Sequence, residues 1–103
     1  MHPVVREQLG ALPELCRAHR VRRLTLFGSA TTEEFDAQGS DIDLVVDFQP
    51  MPIREYAGNY FALLDALQEL FGRQVDLVEQ PAIRNPYIRQ AIEETQVPLY
   101  EAA

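Results

Sequence analysis

Apolar positions recur along this chain with two periods, and the switches between them mark its elements. Val5, Leu9, Leu12 and Cys16 fall at helical spacing, interrupted by Gly10 and Pro13. A helix from Pro3, a short break and a second helix from about Pro13 to Arg20 are therefore predicted. Residues 21–27 become almost continuously apolar from Leu24, as a buried strand does. The stretch 30–39 is polar and acidic. Its start predicts a helical turn over 30–34 with Ser29 as N-cap, and 36–40 reads as a loop. A second strand over 41–48 alternates until Asp47 and stops at Gln49-Pro50-Met51-Pro52. Tyr56, Tyr60, Leu63, Leu67 and Leu70 share one stripe, which predicts a helix over 59–71, extendable back to Arg54, with Gly72 as C-cap. A short third strand follows over 74–79. Asn85 as cap and Pro86 in the first turn start a helix that runs to about Glu94, and 97–100 predicts a terminal strand. The fold class is α/β: a small mixed sheet of three to four strands, with helices mainly on one face. At 103 residues this is a single domain spanning 1–103.

The strand pattern also places chemistry. Asp41 and Asp43 stand at i and i+2 in the second strand, so both carboxylates share a face while Ile42 and Leu44 enter the core. Gly28-Ser29 ends the first strand, a turn whose backbone N–H groups can meet an anion. Asp76 interrupts the apolar run Val75-Asp76-Leu77-Val78, where an aspartate is costly unless exposed, paired or bound to metal. If Val75 and Leu77 face the core, Asp76 faces the other way and joins the first two acids. Acids beside a phosphate cradle call for a bridging cation, and hard oxygen ligands favour Mg²⁺. The residues alone thus describe a magnesium–nucleotide site.

Composition narrows the alternatives. The net charge is −7, from sixteen acids against nine arginines with no lysine. Such a surface repels a nucleic-acid backbone, and the missing lysine excludes Schiff-base chemistry and a P-loop. The cluster Arg20, Arg22 and Arg23 reads as a solvated connection or, less simply, as a phosphate contact. Cys16 is the single cysteine, so it forms no internal disulfide; with no membrane-length apolar run and no visible signal peptide, the cytoplasm is the expected compartment.

With Leu26-Phe27-Gly28-Ser29, Ser40-Asp41-Ile42-Asp43 and Val75-Asp76-Leu77-Val78 in place, the chain resembles the minimal nucleotidyltransferases. These are the small branch of the polymerase-beta-like superfamily, the MntA-like antitoxins of HEPN/MNT toxin–antitoxin pairs. The likeness covers nearly the whole chain, including Arg84-Asn85-Pro86-Tyr87-Ile88 and Val97-Pro98-Leu99-Tyr100-Glu101. It implies that Gly28 and Ser29 hold the triphosphate of ATP. It further implies that Asp41 and Asp43 bind Mg²⁺, and that Asp76 ligates a second ion and accepts the proton of an attacking hydroxyl. The implied acceptor is a tyrosine of a HEPN ribonuclease toxin, silenced by AMP, with no direct nucleic-acid partner and no membrane. The alternatives are an antitoxin that works by contact alone and an enzyme that modifies a small molecule such as an aminoglycoside. Two departures stand out: eleven residues, not the usual ten, separate Ser29 from Asp41, and no basic residue follows Gly-Ser in Ala30-Thr31-Thr32-Glu33-Glu34. Arg22, Arg23, Arg73, Arg84 or a partner would have to supply that charge.

Overall fold

Four strands lie side by side in the order β3-β2-β1-β4: β1 (Val21–Phe27), β2 (Ile42–Phe48), β3 (Val75–Glu79) and β4 (Val97–Glu101). The structure, a computed structural model, describes residues 1–32, 41–80 and 83–103. The expected loop over 36–40 lies outside those residues. β1 pairs antiparallel with β2 and β4, while β2 pairs parallel with β3. A parallel neighbour needs a long crossover, which α3 (Ile53–Phe71) provides. This is the mixed α/β sheet that the apolar pattern predicts.

Alternation along the strands decides what each face does. Leu24, Leu26, Ile42, Leu44, Val46, Val75 and Leu77 point to one side, where they meet Leu12 and Cys16 of α2 (Leu12–Ala18) and Leu63, Leu67 and Phe71 of α3. The first helical stretch is broken as expected: α1 (Pro3–Arg6) is one turn, a 3-10 turn over Leu9–Ala11 follows, and Pro13 sits in the first turn of α2, where its missing N–H costs nothing. α3 begins at Ile53, six residues before position 59 and one before Arg54, the limit to which its stripe extended the helix. Its added turns are anchored by aromatics: Tyr56 meets Phe48 edge to face at 5.3 Å and donates to Glu79 Oε2 at 3.0 Å, and Tyr60 donates to the Leu77 carbonyl. Gly72 closes the helix at φ 67°, a left-handed value that suits glycine.

The fourth helix takes the other side. α4 (Pro86–Thr95) starts as predicted, with Asn85 Oδ1 accepting from the Tyr87 N–H at 2.8 Å. It joins β3 at one edge of the sheet to β4 at the opposite edge. It crosses the face that α2 and α3 leave open and covers Thr25 and Val45, which are buried. No residue of α4 is itself buried, so the helix rests on the sheet without an apolar plug. Among the described residues, no helix is long and apolar enough to cross a membrane.

Cys16 is a core residue. Its thiol is fully buried, and burial pushes it up to about 11 against a smaller opposing pull from Arg17. Only the thiolate reacts, so at pH 8 a disulfide reagent should label the native protein no faster than the chain opens. Denaturant should release labelling at its unfolding midpoint; fast labelling of the folded protein would contradict the packing.

Candidate active site

Three strand ends meet at one corner of the face that carries α4. Asp43, the second residue of β2, stands in register with Phe27 at the end of β1 on one side and with Asp76 of β3 on the other. Strands lie roughly 4.8 Å apart, so the Asp43 and Asp76 side chains are immediate neighbours on one face. Asp41 lies just before β2 and is exposed, as is Asp76; Asp43 is half-buried. The expectation that Asp76 faces the same way as Asp43 thus agrees with the register, with Val75 and Leu77 in the core; Asp41 precedes the paired residues.

Crowding of like charge has a consequence for Asp43. Loss of water around it, then the charge of Asp76 and then that of Asp41, raise its carboxyl from 3.8 to about 6. Gly28 adds a backbone wall. It sits at φ 77°, and a Cβ placed there would come within 2.6 Å of Asp43 Oδ2. Glycine is required here both for its left-handed backbone and for this close approach.

The turn after β1 is built differently from the expected one. A 3-10 turn spans Gly28–Thr31, and its cap position is Phe27 with no side-chain bond, so Ser29 is inside the turn and exposed rather than capping it. Thr31 Oγ1 donates to the Gly28 carbonyl at 2.7 Å and Thr32 Oγ1 to that of Ser29 at 3.1 Å. His2 N–H donates to the Ala30 carbonyl at 2.9 Å, tying the first residues to the turn. The Gly28 N–H, expected to face an anion, donates instead to Thr95 Oγ1 at 2.9 Å, and Thr95 donates in turn to the Ala91 carbonyl at 2.6 Å. One donor of the cradle is therefore used to hold the last residue of α4. Sequence reading missed Thr95, because a threonine at a helix end carries no sign of a partner 67 residues away.

The arginines near β1 have other duties. Arg23 pairs with Glu101 at 3.1 Å, Arg22 with Asp47 at 3.7 Å and Arg20 with Glu55 at 3.0 Å. Asp41, Asp43 and Asp76 offer the hard oxygen ligands that a divalent cation takes, and the repulsion they impose on Asp43 is what a cation would relieve. Among the described residues, however, no three acidic, histidine or cysteine side chains already enclose an ion; the aspartates share a corner and are not a closed cage.

This corner, two strands with facing aspartates beside a glycine turn, lies within a segment that matches a known domain. Residues 10–98 match the nucleotidyltransferase domain family. The chain belongs to that family. It is similar to a protein of Methanocaldococcus jannaschii described as a protein adenylyltransferase, with 42% identity over 76 residues, 74% of each chain. Among solved structures it resembles one described as a minimal nucleotidyltransferase, at TM-score 0.73 and 27% identity, covering 95% of this chain and 96% of that one. It shares its fold with the complex of a tri-AMPylated Shewanella oneidensis HEPN toxin and an MNT antitoxin, at TM-score 0.63 and 18% identity over 94% of this chain and 72% of that one.

In this nucleotidyltransferase the Thr95 contact gives a direct test of how the turn is held. Thr95→Val keeps the shape and removes the acceptor for the Gly28 N–H. Urea denaturation should show a loss of about 1 kcal/mol, the usual cost of stranding a half-buried donor. An unchanged midpoint would mean that water replaces the hydroxyl without loss.

Proposed function

We propose that this nucleotidyltransferase moves AMP from ATP to a hydroxyl, that of a tyrosine, on a partner HEPN ribonuclease toxin, and so acts as its antitoxin in the cytoplasm. The observation that carries the reading is the register of Asp43 with Asp76 beside the Gly28-Ser29 turn. The likeness to a protein adenylyltransferase and to an MNT antitoxin bound to an AMPylated toxin supports the choice of nucleotide and acceptor. Gly28 and Ser29 hold the outer phosphates through the remaining N–H groups of the turn and the exposed serine hydroxyl. Asp41, Asp43 and Asp76 are the residues that would hold Mg²⁺, two ions in this reading. When bound, Mg²⁺ supplies positive charge to the triphosphate and to the leaving pyrophosphate. Asp76 accepts the acceptor's proton as its oxygen bonds to the α-phosphorus; the bond from that phosphorus to pyrophosphate breaks, leaving an AMP ester. Exposure of Asp76 suits this role, because the acceptor must arrive from outside a domain this small.

A second reading, neutralisation by contact with a weak or idle site, draws on one specific observation. Described residues 30–32 bring no cation to the outer phosphates, and one N–H of the turn is already used. The experiment that separates the two is incubation with Mg²⁺, the HEPN partner and ATP labelled on either the α- or the γ-phosphate. We expect partner protein labelled only from the α position, and no label with Asp41→Asn/Asp43→Asn. No label from wild type, with the toxin still silenced by the double variant, would establish contact alone.

A further inference from the structure

Arg54, Gly58, Phe61 and Asp65 stand at i, i+4, i+7 and i+11 of α3, a single stripe on the side away from the buried Leu63 and Leu67. All four are exposed. A lone exposed phenylalanine is ordinary, but this one is held in place. The Phe61 ring meets Tyr60 edge to face at 5.2 Å, and the Tyr60 hydroxyl is tied to the Leu77 carbonyl. One turn away Gly58 leaves a gap, where an added Cβ would meet nothing within 4 Å. A knob and a hole thus lie side by side. Arg54 and Asp65 flank them, eleven residues or about 16 Å apart along the axis, too far to meet within one helix. Among the described residues neither has an ion-pair partner.

We propose that this face pairs with the same face of a second copy of the chain, the two helices antiparallel about a two-fold axis midway between positions 59 and 60. That operation sets Arg54 against the partner's Asp65, and Asp65 against the partner's Arg54. It also brings each Phe61 to the partner's Gly58. Charge argues for a second copy as the occupant. Two molecules of net charge −7 repel, so they can meet only where the surface balances itself. The stripe does so, with one cation and one anion at equal distances from the axis. Glu69, a further exposed acid of the helix, falls opposite position 50, before the partner's α3 begins. One helix face buries less than the roughly 1,200–2,000 Å² of a stable interface, so the dimer is weak. α2 and α3 cover the side of the sheet opposite Asp43 and Asp76, so both acid corners face outward in the pair. The dimer therefore offers two open sites at once.

Sedimentation equilibrium of the full chain, without nucleotide or metal, tests this. Wild type should self-associate reversibly with a Kd on the order of 100 µM. Arg54→Asp and Asp65→Arg should each weaken that at least about fivefold, because each sets like charges across the axis twice. The first makes the chain more acidic and the second less so, so a loss in both follows from the pairing and not from overall repulsion. The double variant Arg54→Asp/Asp65→Arg should recover wild-type association to within about threefold. Both positions are exposed, and thermal midpoints near that of wild type show that the variants are folded. Phe61→Ser should also lose association. A wild type monomeric at millimolar concentration overturns the inference, as do single reversals without effect or a double variant that fails to recover. Monomeric wild type whose grip on the HEPN partner is lost in the single reversals overturns it too, and gives the face to that partner. No nucleotide enters the sedimentation measurement, so failure of the dimer leaves the proposed transfer standing.

Discussion

Asp43→Asn raises the thermal midpoint of the metal-free protein while abolishing transfer. The carboxyl of Asp43 ionises at about 6 in the folded state, against an ordinary 3.8, chiefly because burial strips its water and then because Asp76 and Asp41 repel it. A raised carboxyl means that the fold binds the proton more tightly than the unfolded chain does. Stability from this group is present below pH 4 and is lost as pH rises from about 4 to about 6, so at neutral pH the ionised form is a burden. Discounted for partial exposure, the burden is about 1–2 kcal/mol, and its removal raises the midpoint by about 5–10 °C in a domain of this size. Mg²⁺ should stabilise wild type by offsetting the same repulsion, and should do so much less in the variant. Transfer should fall on the order of a thousandfold. Differential scanning calorimetry at pH 4 and pH 7.5, with and without Mg²⁺, checks the first part. A variant less stable than wild type at pH 7.5 without metal would show that Asp43 is not under this strain.

Gly28→Ala is expected to be the most damaging alanine substitution among the described glycines. The added Cβ would stand 2.6 Å from Asp43 Oδ2 and 3.4 Å from its Cγ, at a φ of 77° that L side chains rarely adopt. The backbone cost alone is about 1–2 kcal/mol, and relief of the clash must move Asp43 or the turn. A midpoint lower by about 10 °C should accompany loss of transfer on the order of a hundredfold or more. Gly58→Ala is the matched comparison. Gly58 lies within α3, and a methyl added there would meet nothing within 4 Å, so alanine should stabilise by about 0.5–1 kcal/mol and leave transfer unchanged. Equal effects at the two glycines would mean that the turn has room the geometry does not show.

These two positions mark how far the sequence could be read. The placement of Asp43 and Asp76 was legible because strand alternation is strict: with Ile42, Leu44, Val75 and Leu77 in the core, each of these carboxylates has only one face available. The same regularity made the core of Leu24, Leu26, Ile42 and Leu44 readable. Thr95 was not legible. Its role depends on α4 crossing the sheet opposite α2 and α3, and periodicity says which side of a helix is apolar, not which face of the sheet it covers. The early turns of α3 were legible as an extension back to Arg54 with Tyr56 on the stripe; what the local sequence did not show is that Phe48 and Glu79 hold Tyr56 across the fold.

The bond between Gly28 and Thr95 has a further consequence, for the order in which the protein comes into being. A growing polypeptide leaves the ribosome from its first residue onward, and its early parts fold while later ones are still being joined. β1, β2, α3 and β3 can associate during that time, which assembles all three aspartates. The glycine turn, however, lacks its hydroxyl partner, and the outer edge of β1 lacks β4, until residues 95–101 have emerged. The nascent chain therefore carries its acids before it carries a finished cradle, because the turn after β1 is completed only when Thr95 has emerged.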